Sequence, residues 1–430
     1  MNKQEREKII ALINREVIPA IGCTEPIAVA LCVAKATETL GRHPKKIKVL
    51  LSANILKNAM GVGIPGTGMI GLPIAIALGA LIGKSEYGLE VLKDCTPAAV
   101  EEGKKMIADN IICISLKENI TEKLYIEVTC ESGEDKAMAI ISGGHTNFIY
   151  IAYNNKILLD KKQKASVESD DDEIQLTFKK VYDFATTAPL DEIRFMIKSG
   201  EMNKAAAEQS FKGKFGHQLG CILKNSELEQ KVLGKNTFSE ILSYTSAACD
   251  VRMAGAMIPV MSNSGSGNQG ITATLPVMIY AKNNKKSEEE LIRALTLSNL
   301  TAIYIKQSLG RLSALCGCVV ASTGSSCGVT YLMGGTYEQI TYAIKNMIGN
   351  ITGMICDGAK PSCALKVTSG TSTAMLSALL AMENQCVTSV EGIIDDDVDK
   401  TIRNLTQIGK DAMCETDKLV LNIMTHKHCD

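Results

Sequence analysis

Three cysteines in the last third of the chain have the surroundings expected of metal ligands. Cys316 lies in the run LCGC, and Cys356 and Cys363 bracket the segment DGAKPS. A cubane iron–sulfur cluster needs thiolates on backbone that can approach closely, which glycine and proline permit. Three ligands would leave one iron open, and an open iron is a Lewis acid that can bind a substrate oxygen or sulfur. The spacing also fits small, buried side chains in a reduced protein.

A second motif, GCTEP at residues 22–26, places a cysteine just before the expected start of a helix. Thr24 is the expected N-cap residue, since its side chain can accept from exposed backbone amides. Cys23 would then lie at a helix N-terminus, where the dipole lowers the pKa of a thiol and makes it reactive. The carboxyl group of Glu25 could act as a general acid or base. The structural alternative is a capped helix start with an inert cysteine.

The motif SNSGSGNQG at residues 262–270 concentrates hydroxyl, amide and glycine groups within an uncharged stretch. Burying such groups is unfavourable unless they meet a ligand or one another, so the motif predicts a ligand loop. The guanidinium of Arg252 suits a substrate carboxylate, although a structural ion pair with Asp250 is equally compatible with the sequence. The candidate substrate-binding residues are Arg252, Ser262, Asn263, Ser264, Gly265, Ser266, Gly267, Asn268 and Gln269.

Two further motifs could line the same site. The stretch NAMGVGIPGTG at residues 58–68 lacks the spacing of a dinucleotide-binding fingerprint. It fits either a loop that approaches the site closely or a purely structural connection. His145, in the motif SGGHTN, has the pKa range for proton transfer, but a lone histidine is also common in structural positions.

Composition narrows the class of partner. The net charge is −1 and tryptophan is absent, which argues against nucleic acid as a partner. The 15 cysteines are irregularly spaced, which favours a reduced, cytoplasmic setting. Residues 58–83 and 253–281 are uncharged and long enough to cross a bilayer, but they are interrupted by glycine, proline and polar residues. We therefore expect buried loops and helices there, and no membrane partner.

The order of elements indicates an α+β fold. The charged run DKKQKASVESDDDE has no apolar periodicity and predicts a linker or exposed excursion. We expect an N-terminal α/β lobe with a small β-sheet at residues 1–159, a linker at 160–175, and a mostly helical, cluster-binding lobe at 176–430. The predicted strands are 46–52, 111–116, 123–130, 136–142 and 148–152, and the predicted helices include 2–21, 27–40, 96–109 and 226–247.

Taken together, the motifs GCTEP, NAMGVGIPGTGMIGLP, SNSGSGNQG, CGC and CDGAKPSC resemble the L-cysteine desulfidases. That family is related to the iron–sulfur L-serine dehydratases, whose alpha chain the second half of this sequence resembles. The resemblance implies an alpha-chain-like fold and an oxygen-sensitive [4Fe-4S] cluster held by three cysteines, which match Cys316, Cys356 and Cys363. Cys23 matches a further cysteine of the desulfidases, either a catalytic thiol or an occasional fourth ligand.

The resemblance also implies a β-elimination of L-cysteine to pyruvate, ammonia and sulfide, or of L-serine to pyruvate and ammonia. The last two cysteines are closer together here than in the serine dehydratases, which favours the desulfidase side. The candidates for removing the α-proton are Cys23, Glu25 and His145, in that order. The dehydratases can place a C-terminal cysteine on the cluster, and Cys429 is the residue of this chain to which that could apply.

Other classes of function remain open on sequence alone. A pyridoxal-phosphate lyase would perform the same elimination, and SGNQG with the S-x-K motif at Lys212 resembles such enzymes, although the two motifs are farther apart than in that fold. A non-catalytic binding or transport protein would have to use the two uncharged segments. An iron–sulfur sensor would need a nucleic-acid module, which the sequence does not show. The apolar surplus is compatible with a homodimer.

Overall fold

The computed structural model describes residues 1–120, 122–161, 174–310 and 313–426. Most of the predicted linker, and Cys429 at the end of the chain, lie outside the described residues. The division at residues 159 and 176 therefore stays a prediction.

A six-stranded sheet forms the first layer of the molecule. Its order is β3-β2-β4-β5-β6-β7, with β2 and β3 parallel and the other neighbours antiparallel. In β2 the buried side chains of Ile47, Val49 and Leu51 alternate with exposed lysines, so only one face enters the core. The strands are β1 Pro19–Ile21, β2 Lys46–Leu51, β3 Ile112–Leu116, β4 Tyr125–Ser132, β5 Asp135–Ser142, β6 Phe148–Tyr153, β7 Lys156–Asp160 and β8 Pro259–Met261.

Helices make up most of the remaining described chain, together with short 3-10 turns at Ser85–Glu90 and Arg194–Met196 and a π-turn at Ile408–Ala412. The helices are α1 Lys3–Glu16, α2 Thr24–Leu40, α3 Ala53–Ala59, α4 Leu72–Leu81, α5 Pro97–Ala108, α6 Phe178–Thr187, α7 Leu190–Ile193, α8 Ile197–Ser210, α9 Leu219–Asn225, α10 Glu227–Val232, α11 Thr237–Met253, α12 Gly267–Asn283, α13 Glu288–Leu309, α14 Gly317–Leu332, α15 Tyr337–Ile351, α16 Cys363–Met382, α17 Val398–Gln407 and α18 Cys414–Thr425.

Two large apolar cores divide these elements. In the first core, α2 packs against strands β4 and β5 on one side and against α4 on the other, which explains why α2 is buried along most of its length. The second core is built by α11 to α16 and also receives Ile9 and Ile13 of α1. The N-terminal helix thus packs with the helical lobe. The sheet followed by helices confirms the predicted α+β class.

Several expectations are corrected in detail. The helix expected over residues 2–21 ends at Glu16, and β1 follows it. The helix expected over 226–247 is two helices, α10 and α11, separated around Gly234, which has a positive φ of 71°.

The two uncharged stretches fold as loops, the short strand β8 and the buried helices α4 and α12. Across the described residues, none of the helices has both the length and the apolar character needed to cross a membrane.

Candidate active site

A short antiparallel pairing brings two distant motifs together. Strand β1 pairs with β8, and the backbone amide of Ser262 continues the ladder by donating to the carbonyl of Ile18 at 2.8 Å. Farther on, the hydroxyl of Thr24 donates to the carbonyl of Gly265 at 2.8 Å. GCTEP and SNSGSGNQG therefore lie side by side, although more than half the chain separates them.

Thr24 is not the N-cap residue predicted from the sequence. Helix α2 begins at Thr24 itself, and Cys23 occupies the cap position without a side-chain hydrogen bond to the helix backbone. The Thr24 hydroxyl binds Gly265 instead, and it also lies 3.0 Å from Oε2 of Glu25. Thr24 therefore does not cap its own helix but connects GCTEP to the SNSGSGNQG loop.

The glycine-rich loop reaches the same place by close backbone approach. A Cβ atom added to Gly63 would lie 2.4 Å from the backbone of Ala254, just after α11. The Gly63 amide donates to the carbonyl of Met253 at 3.0 Å. Only glycine permits this contact, which holds residues 58–68 against the end of the helix that carries Arg252. Within residues 58–68 only Asn58 lines the candidate cavity, so the glycines of this stretch form a structural connection.

The three cysteines come from two neighbouring segments. Cys316 immediately precedes α14, Cys363 is the first residue of α16, and Cys356 lies in the loop before it. The amide of Cys316 donates to the carbonyl of Met354 at 2.9 Å, and that of Cys356 to Ala314 at 2.6 Å. This backbone ladder holds the two segments in register. The three thiols are free, with no disulfide among them.

All these segments surround one cavity of about 110 Å³. Most of the predicted site residues line it, from both halves of the chain. The predicted residues that line the cavity are Cys23, Glu25, His145, Arg252, Ser264, Gly265, Ser266, Asn268, Gln269, Cys316, Cys356 and Cys363.

Three residues of the predicted ligand loop do not line the cavity. The Ser262 hydroxyl donates to the carbonyl of Ile18 at 2.7 Å, and the Asn263 amide donates to Oδ1 of Asn299 at 3.0 Å. A Cβ on Gly267 would lie 2.2 Å from Nε of Arg252, so this glycine makes room for the guanidinium. These residues support the loop instead of facing a ligand, which corrects their predicted role.

Sequence reasoning missed several lining residues. Asn58 opens the glycine-rich motif, and Lys366 follows Cys363 by one helical turn, so both could have been found by position. Lys306 lies on α13, where nothing in the local pattern marks it. The other missed lining residues are Ser313, Leu315, Gly317, Cys318, Gly358, Ala359 and Val367.

Glu25 is the centre of a buried hydrogen-bond network. Its Oε2 accepts from the Cys23 thiol at 2.9 Å, and its Oε1 accepts from the Asn58 amide at 3.1 Å. Burial by itself would raise the pKa of Glu25, but the nearby His145, the Cys23 hydrogen bond and Arg252 together hold it below its usual value. Glu25 is therefore a buried carboxylate that stays ionised.

Cys23 does not have the activated thiol predicted from the helix dipole. Burial raises its pKa well above the ordinary value, and the Glu25 carboxylate raises it further, outweighing the opposing effect of Arg252. The protonated thiol is a hydrogen-bond donor to Glu25. The order of candidate bases is accordingly reversed, with Glu25 ahead of Cys23.

His145 lies on the turn between β5 and β6 and is buried. A Cβ added to Gly265 would come within 3.3 Å of its ring. The histidine thus packs directly against the ligand loop, within electrostatic reach of Glu25.

Arg252 does not form the ion pair with Asp250 that the sequence allowed. Its guanidinium, 3% exposed, donates to Oδ1 of Asn268 at 3.0 Å, and its Nε has no partner among the described residues. Asp250 instead accepts from the backbone amide of Gly220 at 3.0 Å, and burial raises its pKa to about 6. Arg252 is left as a buried cation at the cavity wall, as required for binding an anion.

The part of the cavity lining formed by Cys316, Cys356 and Cys363, here called the thiol wall, offers the kind of donor atoms that an iron–sulfur cluster binds. Burial raises the pKa of Cys316 to about 12 and also raises that of Cys363, while the ammonium of Lys366 opposes the shift at both. Within the described ranges, no three histidine, cysteine or acidic side chains are close enough to hold a single metal ion. The residues that could hold an iron–sulfur cluster are the lining cysteines Cys316, Cys356 and Cys363, because a cubane takes one thiolate on each iron.

Comparison with known sequences agrees with this geometry. The sequence model of the serine dehydratase alpha chain matches residues 86–422, which include the ligand loop and the three cysteines but not Cys23 or Glu25. The chain is 76% identical to a UPF0597 protein of Phocaeicola vulgatus, covering 100% of this chain and 99% of the relative. It is 72% identical to one of Bacteroides thetaiotaomicron (99% of both chains) and 44% identical to one of Oleidesulfovibrio alaskensis (99% and 100%). The expected resemblance to the serine dehydratase alpha chain and the alpha-chain-like fold are thereby confirmed: the chain belongs to the serine dehydratase alpha chain family, whose members are lyase-type enzymes of amino-acid degradation.

Proposed function

We propose that the protein is an iron–sulfur-dependent β-elimination lyase that converts L-cysteine to pyruvate, ammonia and hydrogen sulfide. The observation that carries the proposal is the single cavity lined by the thiols of Cys316, Cys356 and Cys363 together with the buried pair Glu25 and Arg252. A leaving-group site, a base and an anion site are the parts that this elimination requires.

Cys316, Cys356 and Cys363 would hold a [4Fe-4S] cluster. When bound, the cluster supplies a Lewis-acid iron that stabilises negative charge on the departing sulfur or oxygen. The Cys23 thiol donates to Glu25 at 2.9 Å, which supports a role beside the base over that of a fourth ligand.

Arg252 binds and orients the substrate carboxylate. Its unpartnered Nε lies beside the first turn of α12, whose backbone amides also favour an anion. Asn268, in the same turn, accepts from Nη1 of Arg252 and fixes the guanidinium.

Glu25 removes the proton from Cα of the substrate. The carbon–sulfur bond breaks as the Cα–Cβ double bond forms, which yields aminoacrylate and sulfide. Aminoacrylate takes up water and releases ammonia, leaving pyruvate. Glu25 suits the role because it is ionised, buried and held by hydrogen bonds from Cys23 and Asn58.

L-Serine is the second candidate substrate, favoured by the match to the serine dehydratase alpha chain. The same residues would act on it, with water as the leaving group. The pyridoxal-phosphate alternative loses its lysine, because Lys212 is exposed and does not line the cavity. A cytoplasmic homodimer stays a prediction.

The test is anaerobic reconstitution with iron and sulfide, followed by assays of sulfide and pyruvate from L-cysteine and of pyruvate from L-serine. We expect about four irons per chain and sulfide release from L-cysteine. Iron binding without elimination from either amino acid would refute the proposed reaction.

A further inference from the structure

Two amide oxygens at the cavity accept no hydrogen bond from the described residues. They are Oδ1 of Asn58 and Oε1 of Gln269. Asn58 is 9% exposed and Gln269 is 3% exposed, and both residues line the cavity. A buried acceptor without a donor is unfavourable, so these oxygens indicate a ligand that brings donors with it.

The orientation of both amides is fixed by their neighbours. The Asn58 NH₂ group donates to Oε1 of Glu25 at 3.1 Å, and the Gln269 NH₂ group donates to the carbonyl of Asn263 at 3.3 Å. A carbonyl and an ionised carboxylate can only accept. Turning either amide around would set oxygen against oxygen, so the unpartnered atoms are acceptors.

An α-amino acid satisfies the cavity's unpartnered groups at once. A primary ammonium carries several N–H donors that can serve two acceptors together, while its carboxylate can accept from the unpartnered Nε of Arg252. We propose that Asn58 and Gln269 form the subsite for the substrate's ammonium group, so that the cavity selects α-amino acids over α-hydroxy acids. This inference rests on the proposed function and names the substrate feature that the site reads.

Asn58 would also position the base, because its NH₂ group donates to Glu25 while its oxygen would accept from the substrate ammonium. The ammonium group and the proton to be removed are attached to the same carbon. A side chain that holds both the ammonium and Glu25 therefore fixes the direction from the carboxylate to Cα. Gln269 shares the subsite without touching Glu25, so the two amides are separable by kinetics.

The test uses the reconstituted holoenzyme and three ligands that cannot eliminate: L-alanine, L-lactate and propionate. They differ only in the α-substituent, and isothermal titration calorimetry gives their affinities without any turnover. We expect L-alanine to bind at least roughly 10-fold more tightly than L-lactate, as for a hydrogen bond to a charged group. In Gln269→Met this ratio should fall, because one of the two acceptors is lost, while propionate, which lacks the ammonium, binds as before.

Two variants separate the subsite from general damage. Gln269→Glu keeps an acceptor for the ammonium group but loses the hydrogen bond to the Asn263 carbonyl, so it should bind more weakly overall and still prefer L-alanine. Thr371→Val removes another buried, unpartnered hydroxyl that does not line the cavity, so the wild-type ratio should persist. Equal binding of L-alanine and L-lactate by the wild type, or a preserved preference in Gln269→Met, overturns the assignment.

Kinetics of Asn58→Leu complete the test. We expect a higher KM and a lower kcat for L-cysteine, whereas Gln269→Met should act mainly on KM. An Asn58→Leu enzyme with a lower kcat and an intact preference for L-alanine would remove Asn58 from the subsite. If the holoenzyme prefers L-alanine but releases no sulfide from L-cysteine, the subsite stands and the proposed reaction fails.

Discussion

The cysteines that line the cavity differ in the charged groups beside them. On one wall the thiol of Cys23 donates to the carboxylate of Glu25, which adds to burial in raising its pKa. On the other wall Lys366 opposes the effect of burial at Cys316 and Cys363. A carboxylate keeps a thiol protonated, whereas an ammonium favours the thiolate that binds iron. Burial raises the pKa of all three thiols, and Arg252 opposes it at Cys23 as Lys366 does at Cys316 and Cys363, so the Glu25 carboxylate is what distinguishes Cys23.

Ion pairs of Asp357 with Lys360 and Lys366 also stabilise the thiol wall. Lys366 donates to the carbonyl of Ile355 at 2.8 Å and pairs with Asp357, which also pairs with Lys360. Burial alone would raise the pKa of Asp357, but the two ammonium groups hold it at about 2. The loop between Cys356 and Cys363 thus stays tied together at neutral pH.

Removing one of the three thiols of the thiol wall should have the largest effect on iron content and activity. Cys356→Ser is expected to lose most of its iron and to lower activity more than about 100-fold, since changes even to outer groups of a metal site cost 10–100-fold. Iron per chain and the visible absorbance after anaerobic reconstitution measure this. The matched control is Cys249→Ala, a buried thiol nearby that does not line the cavity and should retain iron. Equal iron in both variants would contradict the assignment of ligands.

Replacing the carboxylate of Glu25 should lower activity without loss of iron. Glu25→Gln keeps the shape of the side chain but cannot take a proton, so kcat should fall by roughly 10²–10⁴-fold. Iron content should remain at the wild-type level, because the three proposed ligands are untouched. A variant that loses iron together with activity would show that the two walls are not separate in function.

Replacing Cys23 should have a smaller effect on activity, seen mainly in the pH dependence of kcat/KM. Its hydrogen bond helps to hold the pKa of Glu25 down, so Cys23→Ala should raise that pKa. The carboxylate would then become protonated at a higher pH, and the acidic limb of kcat/KM should move toward alkaline pH. At the optimum we expect a loss of about 10-fold or less. Abolished turnover with intact iron would instead restore Cys23 as the base.

Local sequence predicted the parts of this comparison, but not their contacts. The uncharged SNSGSGNQG loop and the glycine-flanked cysteines were visible from composition, and alternating burial was visible in strands such as β2. The raised pKa of Cys23 was not, because it depends on burial and on the direction of the Glu25 side chain. The contact between Thr24 and Gly265 was equally hidden, since it depends on the pairing of β1 with β8.

The smallest expected effect concerns the link between the walls. Lys57, 1% exposed, donates to the carbonyl of Cys356 at 3.2 Å and pairs with Asp417 of α18. Asp417→Asn would leave a buried ammonium without its counter-charge, which should destabilise the fold by about 3 kcal/mol in denaturant unfolding. The exposed pair of Lys418 and Glu415 on the same helix provides the control, and Lys418→Ala should change stability by less than about 0.5 kcal/mol.

The same variant distinguishes the two walls kinetically. Lys57 binds the backbone of the thiol wall, so Asp417→Asn should release iron a few-fold faster while kcat per bound cluster stays near wild type. That result would mean that α18 stabilises the ligands and leaves the geometry of Glu25 intact. A fall in kcat per cluster would instead show that α18 also positions the base, because Lys57 and Asn58 are neighbours in α3 and Asn58 donates to Glu25.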